Sequence, residues 1–337
     1  YQLIKEVNAN LPSLHKYLKL KQKMLGLETL KYEDLWASSV KSVNKVYPYD
    51  EAKKLVQNSL VVLGSEYADG LKQAFNNGWI DVYPNKDKES GAYSDAIYDI
   101  HPYVKMNYDG EYSNVSTLAH ELGHAMHSYL TNRNQPYSNS NYTTFLAEIA
   151  STFNENLLMD YLLKNETDDN LKLFIIDQFL ERARQTIYRQ ALFAEFELAM
   201  HQKVEEGKTL TADWLNQKYL ELTRLYYGHD KGVTLVDDYI EIEWSKIPHF
   251  FYNFYVFQYS TGIISSMALS QNIITGKTGA VDKYLGMLKS GNSDYSIKLL
   301  QNAGVDMMTS DPYDAAFKRF DDLVAEMEKI YERVSKK

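Results

Sequence analysis

Residues 120 to 124 read His-Glu-Leu-Gly-His. A helix turns about 100° per residue, so two imidazoles four residues apart share a face about one turn apart and can converge on one ion. Glu121 then lies beside that ion, facing a bound water. This is the geometry of a zinc hydrolase, in which the metal activates water and the glutamate accepts its proton. The competing reading is two helical histidines satisfied by hydrogen bonds; a chance match in a chain of this composition is on the order of one percent. A helix must carry these groups, and Leu118, Leu122, Ala125, Met126 and Tyr129 within 116–130 are compatible with a buried one.

Catalytic zinc takes three protein ligands and keeps one open position. With no cysteine in the chain, any metal must be held by His, Asp or Glu. His127 shares the face of His120, but an ion seated between His120 and His124 lies about 4.5 Å short of it along the axis. His127 is therefore expected behind the ligands or in packing. The extension that places a third histidine six residues after the second also fails, because position 130 is Leu. The third ligand must come from another element. The apolar-periodic run 145–163, preceded by Thr143 and Thr144, carries Glu148, Ser151 and Glu155 on one face. Carboxylates amid Leu146, Ile149, Ala150 and Phe153 are costly to bury without a cation or donors. Glu148 is thus the expected third ligand, and Glu155, two turns on, the group that orients a ligand histidine through its free ring nitrogen.

The elements around these helices are mostly helical too. Residues 14–25, 49–76, 172–206, 212–227, 248–274, 281–289 and 312–336 read as helices, the third stopping at Gly207. One region reads as strand: 79–83 and 101–108 flank a loop with Pro84 and Gly91. The expected fold is mainly α, with a small β-sheet next to the active-site helix. The 337 residues permit two domains, although one large helical domain also fits, and a single catalytic domain over 1–337 is the expectation. The balance of 36 Lys+Arg against 45 Asp+Glu is 36 − 45 = −9, which gives no overall positive field for phosphate backbones or anionic lipid. Nucleic acid and membrane are not expected partners. Without an apolar run of membrane length or a leader-like start, a cytoplasmic location is the default. A chain opening on Tyr1 rather than Met is expected to be a piece of something longer.

Two further groups could touch a substrate. His249 follows Pro248 at an expected helix start, and Tyr252, Tyr255 and Tyr259 follow at helical spacing, so the four could form one polar-aromatic stripe. Packing competes as an explanation, since 28 tyrosines make clustering easy. The strand 101–108 is the other group. As an edge strand it could pair with an extended peptide through backbone hydrogen bonds, with His101, Tyr103 and Tyr108 as candidate contacts. His15, His201 and His229 are expected to be structural or on the surface.

HELGHAMHSYL, the following NQPYSNSNYTTFLAEIASTFNE, the upstream HPYVKMNYDG and the downstream IPHFFYNFYVFQYSTG together resemble the oligoendopeptidase F branch of the thimet oligopeptidase family of zinc metallopeptidases. The resemblance covers nearly the whole chain. It implies one zinc on His120, His124 and Glu148, Glu121 as general base, a zincin-like helical fold with a deep channel, and short peptides as substrates. It also implies a missing N-terminal helical portion of the same enzyme. One departure stands out: Gly262 occupies a place where thimet-branch relatives carry a tyrosine, which leaves open which tyrosine acts in the transition state. The expected reaction is peptide-bond hydrolysis by a zinc-activated water, with His249 and a nearby tyrosine donating to the oxyanion. Two other classes compete. A di-iron helix bundle also uses Glu-x-x-His, but needs a second copy that this sequence lacks; a non-catalytic peptide-binding protein would have no use for Glu121.

Overall fold

A computed structural model of the chain describes residues 1–40, 43 and 45–336. In chain order its α-helices are α1 (Gln2–Ala9), α2 (Leu11–Leu25), α3 (Tyr49–Leu60), α4 (Ser65–Asn76), α5 (Tyr112–Asn134), α6 (Thr144–Asn165) and α7 (Asp169–Ala183). They continue with α8 (Arg189–Glu205), α9 (Ala212–Tyr227), α10 (Phe257–Ile274), α11 (Ala280–Leu288), α12 (Ser296–Asn302) and α13 (Asp311–Val334). Three short strands, β1 (Ile80–Asp81), β2 (Tyr93–Asp95) and β3 (Tyr103–Lys105), complete a mainly helical fold. The contacts divide the chain into two compact units: Val43–Thr167 with Gly262–Ala315, and Tyr1–Ser42 with Asp168–Thr261 and Ala316–Lys337.

The first of these units is organised on α5 and α6. Neither helix is apolar along one stripe alone: α5 buries Leu118, Ala119, Leu122, Ala125 and Met126, and α6 buries Leu146, Ile149, Ala150, Phe153 and Leu157. Such helices need cover on several sides. The two approach closely at Gly123, where a Cβ would stand 2.5 Å from the Ala150 carbonyl oxygen and 2.6 Å from the Ser151 Cα. A glycine in mid-helix is otherwise unfavourable, and here it admits backbone against backbone. A turn away, the Asn154 side chain donates to the Ala119 carbonyl at 3.0 Å and accepts from the Tyr67 hydroxyl at 3.0 Å, tying α6 to α5 and α4. At its start, α5 is fixed by Asn114, whose side-chain oxygen accepts from the backbone N–H groups of Asp109 and Gly110.

The small sheet has the order β1-β3-β2, with β1 parallel and β2 antiparallel to the centre. Val104 pairs with Ile80 on one side and Ser94 on the other. The expected strands at 79–83 and 101–108 are thus present in shorter form, and β2 lies inside what reads as loop. Its three residues, Tyr-Ser-Asp, carry no apolar alternation to announce a strand. The consequence is a correction: Tyr103–Lys105 is flanked on both sides and offers no free edge to a peptide.

Two expected helices are broken. The run 49–76 divides at Gly64, whose φ of +85° no other residue type adopts without strain. The run 248–274 begins as a 3₁₀ turn (Pro248–Phe251), then bends at Phe254, which has a φ of +50°, before α10 starts. In the second unit the run 172–206 is present but holds a π turn, Arg184–Tyr188, between α7 and α8. The wide turn leaves carbonyls free of the normal ladder. Those of Thr186 and Ile187 accept from the Ser260 hydroxyl at 3.1 and 2.7 Å. Beneath it lies a buried charged cluster. Glu181 accepts from Arg184 at 2.8 Å, Lys21 at 3.0 Å and the Tyr17 hydroxyl at 2.6 Å. Burial pushes the Glu181 carboxyl up, but Arg184 and Lys21 outweigh it and hold it below its ordinary value.

Gly123→Ala tests the closeness of α5 and α6. The added methyl meets backbone rather than a flexible side chain, so the expected loss of stability is about 1–3 kcal/mol, read from the urea unfolding midpoint. An unchanged midpoint would show that the two helices separate freely.

Candidate active site

The close packing at Gly123 sets the first turns of α6 against the middle of α5. As a result, Glu148 Oε2 lies 3.4 Å from His120 Nε2 and 3.7 Å from His124 Nε2. One ligand atom from each of His120, His124 and Glu148 falls within 4.8 Å of the others, and no other such group occurs among the described residues. Bond lengths of about 2.0–2.1 Å in a tetrahedral site put ligand atoms about 3.3–3.4 Å apart, so the set fits a zinc ion after small adjustments. The donor chemistry, two imidazoles and one carboxylate, is that of a hydrolytic zinc site with an open fourth position. The two rings stand at 81° to each other with centroids 4.9 Å apart.

Around these three, α6 supplies the groups that hold them. Glu155 Oε1 lies 2.5 Å from His120 Nδ1, and its other oxygen accepts from the Ser116 hydroxyl at 3.2 Å. Nε2 of His120 is then the nitrogen turned to Glu148. The Ser151 hydroxyl donates to Glu148 Oε2 at 2.9 Å. His124 is pushed down to about 4, mainly by burial and by the neighbouring His120, against the opposing pull of Glu148 and an Ala147 backbone hydrogen bond. Its imidazole is neutral at pH 7, the form that binds metal. Glu121 is buried, and burial raises its carboxyl above the ordinary range; His120 pulls it back down and Glu148 adds to the rise.

His127 is fully buried and stacks on Tyr142, with ring centroids 3.6 Å apart and planes 8° from parallel. Burial, with His124 nearby, pushes it down to about 3. The Tyr142 hydroxyl meets Ser128 at 2.8 Å and reaches the His124 carbonyl at 3.5 Å, so this stack underlies the C-terminal ligand of the motif. Tyr142 was not legible as part of the site by spacing alone; the mid-helix glycine at 123 was the available signal for a close neighbour. On the sheet, His101 stacks on Trp79 at 5.4 Å and 3° and its Nδ1 meets the Pro102 carbonyl at 2.8 Å. Tyr108 is buried and donates its hydroxyl to the Tyr47 carbonyl at 2.7 Å, which removes it from any surface a substrate could touch. Tyr103 is exposed and lies against His101.

His249 and its tyrosines belong to the other unit. They cluster, though not as a helical stripe. The His249 ring stacks on Tyr255 at 5.9 Å and meets Tyr259 edge-on at 5.7 Å, and the Tyr259 hydroxyl is 3.4 Å from His249 Nε2. Tyr252 touches Tyr255 and is largely exposed. The remaining histidines have structural partners: His15 with the Tyr226 carbonyl, His229 with the Val236 N–H, and His201 against the Phe254 ring.

A helix-borne pair of imidazoles completed by a carboxylate from the next helix is the ligand arrangement of metallohydrolases. The model of peptidase family M3 matches residues 2–319, and the chain belongs to that family. It is 44% identical over 332 residues to the oligopeptidase PepF of Bacillus subtilis, covering 98% of this chain and 49% of that protein. It is 44% identical to the group B oligopeptidase PepB of Streptococcus agalactiae, covering 97% and 54%. Among solved structures, oligoendopeptidase-F from Enterococcus faecium superposes with a TM-score of 0.77 at 34% identity, over 98% of this chain and 52% of that one. The chain spans about half the length of the curated relatives it matches. No helix among the described residues is long and apolar enough to cross a membrane.

The bond between Glu155 and His120 Nδ1 gives a test of the site's construction. Glu155→Ala should lower zinc affinity about 10- to 100-fold, measured by competition with a chromogenic chelator. Unaltered affinity would mean that the His120 ring is held by other contacts.

Proposed function

We propose that the chain carries the catalytic centre of a zinc-dependent oligopeptidase that cleaves peptide bonds within short peptides. The observation that carries this reading is the convergence of His120, His124 and Glu148 ligand atoms within 4.8 Å, beside a buried Glu121, in a chain of peptidase family M3. A zinc ion held by these three residues would polarise the scissile carbonyl and lower the pKa of the attacking water. Glu121 takes a proton from that water as it adds to the carbonyl carbon, then delivers it to the nitrogen as the C–N bond breaks. A carboxyl whose affinity for protons is raised by burial suits both halves of that transfer. Glu155 holds His120 in the tautomer that presents Nε2, and Ser151 steadies Glu148. In this reading His249, with Tyr255 or Tyr259, donates hydrogen bonds to the oxyanion. Short peptides as substrates follow from the oligopeptidase relatives, which are about twice as long as this chain, and the activity is proposed for the whole protein.

A di-iron oxidoreductase would need a second ligand set, and His120, His124 and Glu148 form the one such group among the described residues. A peptide-binding protein without chemistry would bind but not cleave, and assays separate the two. On a quenched-fluorescence peptide, Glu121→Gln should keep its zinc and lose turnover by about 10²- to 10⁴-fold, because the amide cannot accept the proton. Full turnover by that variant would remove Glu121 from the role. Glu148→Ala removes one of three ligands, so dialysis against a mild chelator should strip its metal while the parent protein keeps most of its own. Equal retention would move the third ligand elsewhere.

A further inference from the structure

The segment from Pro248 to Ser260 is expected from its sequence to be helical, and a helix would defeat the cluster that it carries. His249 and Tyr259 are ten residues apart, which in an α-helix is about 15 Å along the axis. In the structure their rings are 5.7 Å apart and the Tyr259 hydroxyl faces His249 Nε2. The difference is made at Phe254, a non-glycine residue in the left-handed region with a φ of +50°. For an L-residue with a bulky side chain that conformation is strained and persists only when its surroundings impose it.

Phe254 is 39% exposed and borders a cavity of about 400 Å³. Its backbone N–H, however, donates to Glu197 Oε1 at 2.7 Å. Glu197 lies on α8 and is only 2% exposed, so this is a buried, charge-assisted bond of the strong kind. The same helix places His201 one turn on, with its ring 4.5 Å from that of Phe254. On the far side of the bend, Ser260 is anchored to the π-turn carbonyls of Thr186 and Ile187. The helix α7–π–α8 therefore grips the segment at two points, and only the first lies at the bend. Burial raises the Glu197 carboxyl above its ordinary range, while the Phe254 bond and His201 oppose the rise. The N–H bond is thus what favours the ionised acceptor.

We propose that Glu197 is a positioning residue of the His249–Tyr259 segment: its buried carboxylate holds Phe254 in the left-handed bend, and the bend assembles His249, Tyr255 and Tyr259 into one cluster. Its effect on turnover rests on the oxyanion-donor role assigned above to that cluster, whereas its effect on the cluster itself does not.

Three variants of the full-length zinc-loaded protein test it: Glu197→Ala, Glu197→Gln, and Glu197→Ala combined with Phe254→Gly. Each is measured for kcat and KM on a quenched-fluorescence peptide, for zinc content, and for the His249 Hε1 resonance, assigned by its disappearance in His249→Ala. Glu197→Ala should shift the His249 resonance and lower kcat about tenfold, with KM and zinc content little changed, because donors at the reacting carbonyl act on the transition state. Glu197→Gln, whose amide oxygen can accept the same N–H, should stay within about threefold of the parent protein. Glycine at position 254 adopts the bend without strain, so the double variant should regain most of the lost rate and return the resonance toward its original position. An unshifted His249 resonance in Glu197→Ala would overturn the proposal, as would a shift that neither glutamine nor the added glycine reverses. A resonance that moves and returns while kcat stays constant would uphold the positioning role and instead refute the donor role of the cluster.

Discussion

The contact between the α5 backbone at Gly123 and the α6 backbone at Ala150 and Ser151 is the constraint from which the convergence of His120, His124 and Glu148 follows. Helices that pack through ordinary side chains keep their axes 8–10 Å apart. A carboxylate side chain is short, and to share an ion with both imidazoles, as proposed, Glu148 must place its oxygen close to their ring nitrogens. Removing the Cβ between the helices is what closes that distance. The same closeness brings Glu155 onto His120 Nδ1 and the Asn154 amide onto the Ala119 carbonyl. The glycine inside the histidine motif is therefore as much a part of the candidate centre as the histidines that flank it.

Electrostatics complete what packing begins. Two half-buried imidazoles and three carboxylates, Glu121, Glu148 and Glu155, share a small volume, and each carboxylate has different surroundings. Glu155 meets His120 Nδ1 with one oxygen and accepts from Ser116 with the other. Glu148 is held by Ser151 and turned to both ligand nitrogens. For Glu121, burial raises its proton affinity. One helix pair thus gives three carboxyl groups three different surroundings through their neighbours alone.

Much of this was legible in the sequence because helical periodicity is local. The spacing of His120, His124, Glu148, Ser151 and Glu155 on two helical faces follows from residue order, and both helices form over those residues. What was not legible depends on partners distant in sequence. The break at Phe254 is imposed by Glu197, 57 residues earlier, so an apolar run from 248 to 274 reads as one helix when it is not. Tyr108 looks available on an alternating strand, yet its hydroxyl is taken by the carbonyl of Tyr47. The central position of β3 depends on β2, whose three residues give no periodic signal. Spacing places residues on a face; it does not say what that face meets.

The π turn at Arg184–Tyr188 has a consequence for how this chain can vary. A π turn takes in one residue more than an α turn, so deleting one residue there would restore a plain α-helix and leave the face of α8 nearly unchanged relative to α7. Glu197 would stay beside Phe254, but the carbonyls of Thr186 and Ile187 would rejoin the helical ladder and Ser260 would lose its acceptors. Point substitutions within the turn leave these acceptors in place, but loss of a single residue does not. Along this stretch the protein is thus constrained less in which residues it uses than in how many.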